Sequence, residues 1–187
     1  VFVTGHTGFK GSWLIKILSD FGALIKGYAL APENEINLYT EINGDSLCES
    51  VISDLRDRES LKKAVFDFQP DYIFHLAAAV GVFNIVNNPL NSLFTNIRGT
   101  ENVLKSANDS QVPVFLASSS EVYGKNVSDS LKEDSERILG SPTTLRWSYS
   151  EAKAIDESLA YAYFVEKQLE TRIVRFFNTV GPRQLGA

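Results

Sequence analysis

The chain has 187 residues, 44% of them hydrophobic and 22% charged, with a net charge of -5 and a pI ≈ 5.1. Those values describe one globular domain able to bury a real core, and the acidity argues against a phosphate-tracking nucleic-acid binder or a basic membrane-surface helix. No apolar run reaches membrane-spanning length, no signal-peptide layout is visible, and the single Cys48 permits no internal disulfide, which fits a reducing cytoplasm.

Two histidines without partners at ligand spacing give no metal site. The chain opens inside an apolar strand and contains no Met, so at least the natural start is expected to lie outside it. Val1-Phe2-Val3 is a β-branched and aromatic run that stops at Thr4-Gly5-His6-Thr7-Gly8-Phe9-Lys10-Gly11. The pattern then predicts an amphipathic helix over roughly 12–21, with Trp13, Leu14, Ile17 and Leu18 inward and Gly22 as its stop. Strand, glycine turn and helix together read as a phosphate site. Gly5 permits a tight turn, Gly8 the approach of backbone to a pyrophosphate, and Gly11 close helix–strand packing. The amides that open the helix would meet the phosphate charge. His6 and Lys10 are expected to face solvent.

Residues 24–30 read as the second strand. In nicotinamide sites an acidic residue commonly ends this strand and binds the adenine ribose. Here Ala29-Leu30-Ala31-Pro32 stands there, with Glu33 the nearest acid and no Arg to hold a 2′-phosphate. Residues 33–49 read as a polar surface loop. A third strand, 50–53, ends at Asp54-Leu55, where Asp54 either accepts from an adenine amino group or caps the next helix. That helix spans 58–68 and stops before Pro70. Residues 71–76 form a fourth strand, and Ala77, Ala78 and Ala79 after it are small enough for a flat cofactor to lie close. His75 reads as a packed strand residue.

The next helix, 93–107, carries Asn96, which is mildly unfavourable inside a helix and either bridges backbone groups in the core or faces solvent. The fifth strand, 113–117, runs into Ser118-Ser119-Ser120-Glu121-Val122-Tyr123-Gly124, and 126–144 is a long polar loop. A helix over about 150–167 places Ala152, Ile155, Leu159, Ala160 and Tyr163 near helical spacing. The sixth strand, 171–177, ends at Asn178. Strands alternating with helices predict an α/β, doubly wound parallel sheet, the Rossmann fold in three α/β/α layers, with ligands beyond the strand carboxyl ends. The glycine loop, the alanine run, Ser118 to Glu121 and Asn178 all fall at such ends.

Tyr149 and Lys153 are four residues apart, so their side chains share a helix face. An ammonium beside a phenol favours phenolate and pulls a pKa of about 10 downward. Tyr149 thereby becomes a general base for an alcohol proton.

Taken together, these residues resemble the extended short-chain dehydrogenase/reductase family of nucleotide-sugar enzymes. The resemblance covers the whole chain and rests on Thr4-Gly5-x-x-Gly8-Phe9-x-Gly11, His75-Leu76-Ala77-Ala78, the serine run before Val122-Tyr123-Gly124, Tyr149-x-x-x-Lys153, and Phe177-Asn178 before Gly181-Pro182-Arg183. It implies NAD as a tightly held cofactor, bound by Gly5, Thr7, Gly8, Phe9, Gly11, Asp54, Leu55, Leu76, Ala77, Ala78, Asn96, Tyr149 and Lys153. It implies that Tyr149 takes the proton from a sugar 4-hydroxyl, that Lys153 holds the nicotinamide ribose, and that Ser119 hydrogen-bonds the same hydroxyl. Ser120 and Glu121 occupy the positions of a dehydratase acid and base. Asn178 would meet the diphosphate of a nucleotide-diphosphate sugar.

The opening is similar to CDP-glucose 4,6-dehydratases, and the second half to nucleotide-sugar epimerases and UDP-glucuronate decarboxylases. A serine at position 120 is a poor acid for dehydration, so an epimerase is expected first, with 4,6-dehydratase or decarboxylase as alternatives and a non-catalytic nucleotide-binding protein as a lesser one. The resemblance further implies a cytoplasmic homodimer, with no nucleic-acid or membrane partner. It also implies a substrate-binding domain beyond Gly186-Ala187, so that 1–187 is the NAD-binding domain.

Overall fold

The computed structural model describes residues 1–32 and 34–184; Glu33 and the terminal 185–187, on which two of these expectations bear, lie outside the described residues. In chain order the elements are β1 (Phe2–Thr4), α1 (Phe9–Asp20), β2 (Lys26–Ala29), α2 (Leu38–Glu41), β3 (Glu49–Ile52), α3 (Arg58–Phe68), β4 (Ile73–His75), α4 (Val82–Asn87), α5 (Pro89–Ser110), β5 (Val114–Ser119), α6 (Ser148–Lys167) and β6 (Thr171–Phe176). The strands form one parallel sheet in the order β3-β2-β1-β4-β5-β6. This is the expected doubly wound Rossmann arrangement, and its topological switch lies between β1 and β4.

Strand alternation divides the apolar residues between the two faces. Phe2, Ile73 and Leu116 point to the face covered by α3, α5 and α6, where Leu61, Leu104 and Leu169 join them in the main core. Each such fully buried side chain stabilises the fold by about 1.5–3 kcal/mol. Val3 points to the other face and packs with Ile15, Ile25, Tyr39 and Cys48 under α1 and α2. Beyond α1 this second face is an open apolar groove between Trp13 and Ile17 on one side and Phe74, Phe115 and Phe176 on the other. No described helix is long and apolar enough to cross a membrane.

Several boundaries depart from the expected ones. Helix α1 begins at Phe9 with Gly8 as its N-cap, so Gly11 lies within its first turn rather than before it. Its fully buried apolar residue is Ile15, whereas Ile17 is 49% exposed and turned to the groove. Residues 34–49 are more than a loop. Asn37 accepts from Thr40 N at 2.9 Å and caps α2, and Leu38, Tyr39 and Cys48 are buried. His6, expected in solvent, is fully buried beneath Tyr39, with ring centroids 5.3 Å apart.

Helix α5 exceeds the predicted 93–107 at both ends, starting on Pro89, whose missing N–H is no loss there. In α6 the buried stripe is Ala152, Lys153, Asp156 and Ala160, and Ile155 faces outward. Residues 126–144 do form a loop, tied back by the bridge between Gly124 and Ile138. Three helices, α3, α5 and α6, end on Gln69, Gln111 and Gln168 in the left-handed conformation that usually falls to glycine.

Candidate active site

The glycine loop after β1 is held by its own backbone. Gly5 has φ +75°, donates to Tyr28 O at 2.9 Å and accepts from Gly8 N at 3.1 Å. A Cβ on Gly5 would stand 2.8 Å from Ala77 N, and one on Gly11 would overlap the Gly5 carbonyl. The start of α1 is therefore pressed onto the loop, and the loop onto the end of β4. Ser12 N is the first donor within α1, to Gly8 O at 2.8 Å, so the amides of Phe9, Lys10 and Gly11 precede any intrahelical acceptor. The helix has no side-chain cap and no acid in its first turn. Its positive end is open to an anion. Thr7 is tied sideways, donating to Leu30 O at 2.8 Å.

Beside the loop, the Thr4 hydroxyl accepts from Leu76 N and Ala77 N, both at 3.2 Å. Its own proton goes to His75 Nδ1 at 2.7 Å, which assigns the single ring N–H to Nε2, donating to Thr100 Oγ1 at 3.0 Å. Burial, then the charge of Lys153, pushes His75 down to about 3, so the ring is neutral. Asn96 is buried and grips Ala79 twice, accepting from its N–H at 2.7 Å and donating to its carbonyl at 3.2 Å. Of the two readings of Asn96, the backbone bridge is the one observed. Leu76, Ala77 and Ala78 are thus set along the rim between β4 and the glycine loop.

At the far edge, Leu55 turns into the core, and its carbonyl accepts from Asn102 at 2.9 Å. Asp54 is engaged by Arg56, whose Nε lies 3.0 Å from both carboxylate oxygens and whose backbone N donates at 2.8 Å. These hydrogen bonds hold the Asp54 carboxyl below the usual range against its partial burial. Asp54 does not cap α3; Asp57 does, accepting from Ser60 N at 3.1 Å.

The residues expected to handle protons meet where β5 gives way to a 3₁₀ turn. Ser119 ends β5 and accepts from Glu121 N at 3.2 Å, which fixes the turn carrying Ser120 and Glu121. Glu121 is half-exposed and faces Arg146 across 3.8 Å. Tyr149 is half-buried at the start of α6, and Lys153 is buried one turn on. The expected effect of Lys153 on Tyr149 is absent from this arrangement. The ammonium is turned to the Ala117 carbonyl at 3.1 Å and to Asp156 Oδ2 at 3.2 Å. Burial first, then the Asp156 and Glu121 charges, push the phenol up to about 12, with the Ser119 hydroxyl opposing them.

A second, half-buried pair stands behind the turn. Arg175 on β6 donates to Glu157 Oε1 at 2.9 Å and to Oε2 at 2.7 Å, while Ser118 also donates to Glu157. Burial raises the Glu157 carboxyl, but the Arg175 and Ser118 hydrogen bonds outweigh it and leave the value below normal. Asn178 is exposed just past β6. Asp156, Glu157 and Arg175 escaped the sequence reading. The available signal was two acids at three and four residues past Lys153, inside a stripe that otherwise reads as apolar. Among the described residues, no group of three or more His, Cys, Asp or Glu is placed to hold a metal ion.

The site therefore brings together the glycine loop, the β4 rim, Ser119, Glu121 and the Tyr149–Lys153 helix at the carboxyl edge of the sheet. The family model described as GDP-mannose 4,6 dehydratase matches residues 2–186. The chain is 33% identical over 181 residues to the UDP-N-acetyl-alpha-D-glucosaminuronate decarboxylase of Bacillus cytotoxicus, covering 97% of this chain and 54% of that protein. It is 35% identical over 183 residues to the UDP-glucose 4-epimerase of Mycoplasma genitalium, covering 97% and 53% respectively. It is also similar to the solved structure of DesIV, the dTDP-glucose 4,6-dehydratase of Streptomyces venezuelae with NAD and TYD bound. The TM-score is 0.84 at 28% identity, covering 98% of this chain and 57% of that one. The chain spans about half the length of the curated relatives it matches. With a family match over nearly every residue, on a sheet and rim of this construction, the chain belongs to the GDP-mannose 4,6-dehydratase family of extended short-chain dehydrogenases/reductases, a family of nucleotide-sugar enzymes.

Proposed function

We propose that this domain carries the chemistry of a cytoplasmic nucleotide-diphosphate-sugar 4-epimerase that works with bound NAD. The residues present fit the dinucleotide. A Cβ at Gly5 or Gly11 would collide with backbone at the cradle, the opening amides of α1 are bare, and Asn96 fixes the rim of small residues. Gly5, Thr7, Gly8, Phe9 and Gly11 would hold the pyrophosphate, Asp54 and Leu55 the adenine end, and Leu76, Ala77, Ala78 and Asn96 the stretch between. Tyr149 and Lys153 would hold the nicotinamide ribose. When bound, NAD supplies a hydride acceptor and donor.

Tyr149 takes the proton of the sugar 4-hydroxyl as that carbon is oxidised and returns it afterwards. Ser119 hydrogen-bonds the same hydroxyl, and Asn178 meets the diphosphate. Epimerisation needs only this oxidation, rotation of the 4-keto sugar and reduction from its other face. The observation that carries the reading is Ser120, seated between Ser119 and Glu121 on the 3₁₀ turn. Dehydration requires an acid for a departing hydroxyl, and a serine hydroxyl is a poor one. The resemblance to a 4-epimerase over 97% of this chain supports the same choice. A homodimer is part of the proposal, supported by Phe94, Tyr161, Phe164 and Val165, all more than 40% exposed on the adjoining α5 and α6.

The test uses the full-length protein with UDP-, CDP- and dTDP-glucose, identifying the product sugar, with Glu121→Gln alongside. A sugar inverted at C4, with substantial turnover retained in Glu121→Gln, is expected. A 4-keto-6-deoxy product with NADH stalled in that variant would replace this reading with dehydration. Carbon dioxide released from UDP-glucuronate would replace it with decarboxylation.

A further inference from the structure

The site contains a fully buried carboxylate that this chemistry leaves unused. Asp156 lies three residues past Lys153 on α6, and the two side chains are 0% and 3% exposed. One carboxylate oxygen accepts from Lys153 at 3.2 Å, while the other, Oδ1, is buried without a well-formed hydrogen bond, the Thr100 hydroxyl being the polar group beside the carboxylate. Taking a carboxylate out of water in this half-satisfied state is unfavourable. An alanine or leucine would fill that helix position without the penalty, so the group calls for a role beyond packing.

Geometry indicates the role. Tyr149, Lys153 and Asp156 follow one another at i, i+4 and i+7, along a single face of α6. Lys153 is held at both ends of its reach, by the Ala117 carbonyl on β5 at 3.1 Å and by Asp156. The helix face below the phenol therefore carries an ion pair rather than an isolated cation, and the Asp156 charge is the one that acts on the phenol. The other groups around it are Ser119 at the end of β5 and Glu121 on the following turn, the latter facing Arg146. Lys10 on α1 and the neutral His75 on β4 lie within electrostatic reach of Lys153, and Thr100 on α5 lies beside Asp156.

We propose that Asp156 is a positioning residue that anchors the Lys153 ammonium against Ala117 and cancels part of its pull on the Tyr149 proton, so that the Lys153–Asp156 couple sets the proton affinity of the phenol. The inference rests on reading Tyr149 as the proton acceptor for its catalytic meaning. Its test requires no turnover, so failure here is distinguishable from failure of the epimerase reading.

The experiment compares wild type with Asp156→Asn, which keeps the shape and one acceptor but removes the charge. Ultraviolet phenolate absorbance is titrated in each, and the same titration in the matching Tyr149→Phe background is subtracted, which isolates Tyr149 from the other tyrosines. Removing a negative charge at this range is expected to move the Tyr149 titration to lower pH by about one unit or more. An unchanged titration in a folded Asp156→Asn protein would overturn the proposal. Should that variant not fold, the Lys153→Met/Asp156→Asn double variant decides. Its cooperative folding supports Asp156 as the counter-ion of Lys153, and its failure to fold overturns the proposal in favour of a packing role.

Discussion

The His6 ring stands where a side chain at residue 27 would be: a Cβ built on Gly27 of β2 would lie 2.7 Å from His6 Nδ1. The imidazole is locked there, edge-on to Tyr39, with its Nε2 and Ser50 Oγ 2.7 Å apart. Gly27→Ala is therefore expected to push His6 and the glycine loop outward. Overpacking of this kind costs about 1–3 kcal/mol. A chemical melt of the variant should show that loss together with weaker NAD binding by titration. An unchanged midpoint would mean that the ring moves aside freely.

Both histidines are held neutral in the fold. Burial is the main cause, pushing His6 from 6.5 to about 4 and His75 from 6.5 to about 3. A histidine depressed on folding takes up its proton in the unfolded chain first, so its contribution is full above about pH 6.5 and is lost as pH falls from there towards the folded values. The melting temperature is expected to drop across that window, and His75→Gln should flatten part of the drop. A melting temperature unmoved from neutral pH down to about 4 would contradict the assignment.

Replacing Asn96 with Leu fills much the same volume but leaves the Ala79 N–H and carbonyl without their partner. Stability is expected to fall by about 1–3 kcal/mol. Because the Ala77 to Ala79 rim would loosen, NAD affinity should fall with it. Urea denaturation and a fluorescence titration measure the two effects separately.

Tyr149→Phe keeps the ring and its packing and deletes the proposed proton acceptor. Activity on any accepted sugar nucleotide is expected to fall roughly 10²–10⁴-fold, or about 3–5 kcal/mol of barrier. NAD should remain bound. Near-normal turnover in this variant would remove Tyr149 from the mechanism.

The helix ends offer a gain rather than a loss. Gln69, Gln111 and Gln168 have φ of 49°, 53° and 58°. Glycine carries no Cβ penalty in that region, so each Gln→Gly change is expected to stabilise by about 0.5–1 kcal/mol. Thermal melts of the single and triple variants check both the sign and the additivity.

How much of this was readable in the residues depended on what the pattern encodes. Helix α3 was predicted at its observed bounds because its apolar periodicity stops ahead of Pro70, although the cap considered for it was Asp54 and the one observed is Asp57. Helix α2 was not, since four residues show no period; it forms because Asn37 caps it and Tyr39 packs on His6. Spacing placed Tyr149 and Lys153 on one face, yet spacing says nothing of depth. Only the fold shows that Lys153 is turned to Ala117 and Asp156, and that burial moves the phenol against the expected direction. His6 was misread for the same reason. A polar residue in a glycine loop looks exposed until the strand beside it turns out to have a glycine facing it.

The bond between Thr4 and His75 joins the two halves of the sheet across 71 residues of chain. At ribosomal rates of about 5–20 residues per second, the second partner is synthesised roughly 4–14 s after the first. Until then Gly5 has no Ala77 backbone to rest against, and β1 lacks one of its two neighbours. The glycine cradle, although written at the very start of the chain, is completed only when the fourth strand emerges. A chain stopped short of β4 would leave one edge of β1 without a strand to pair with.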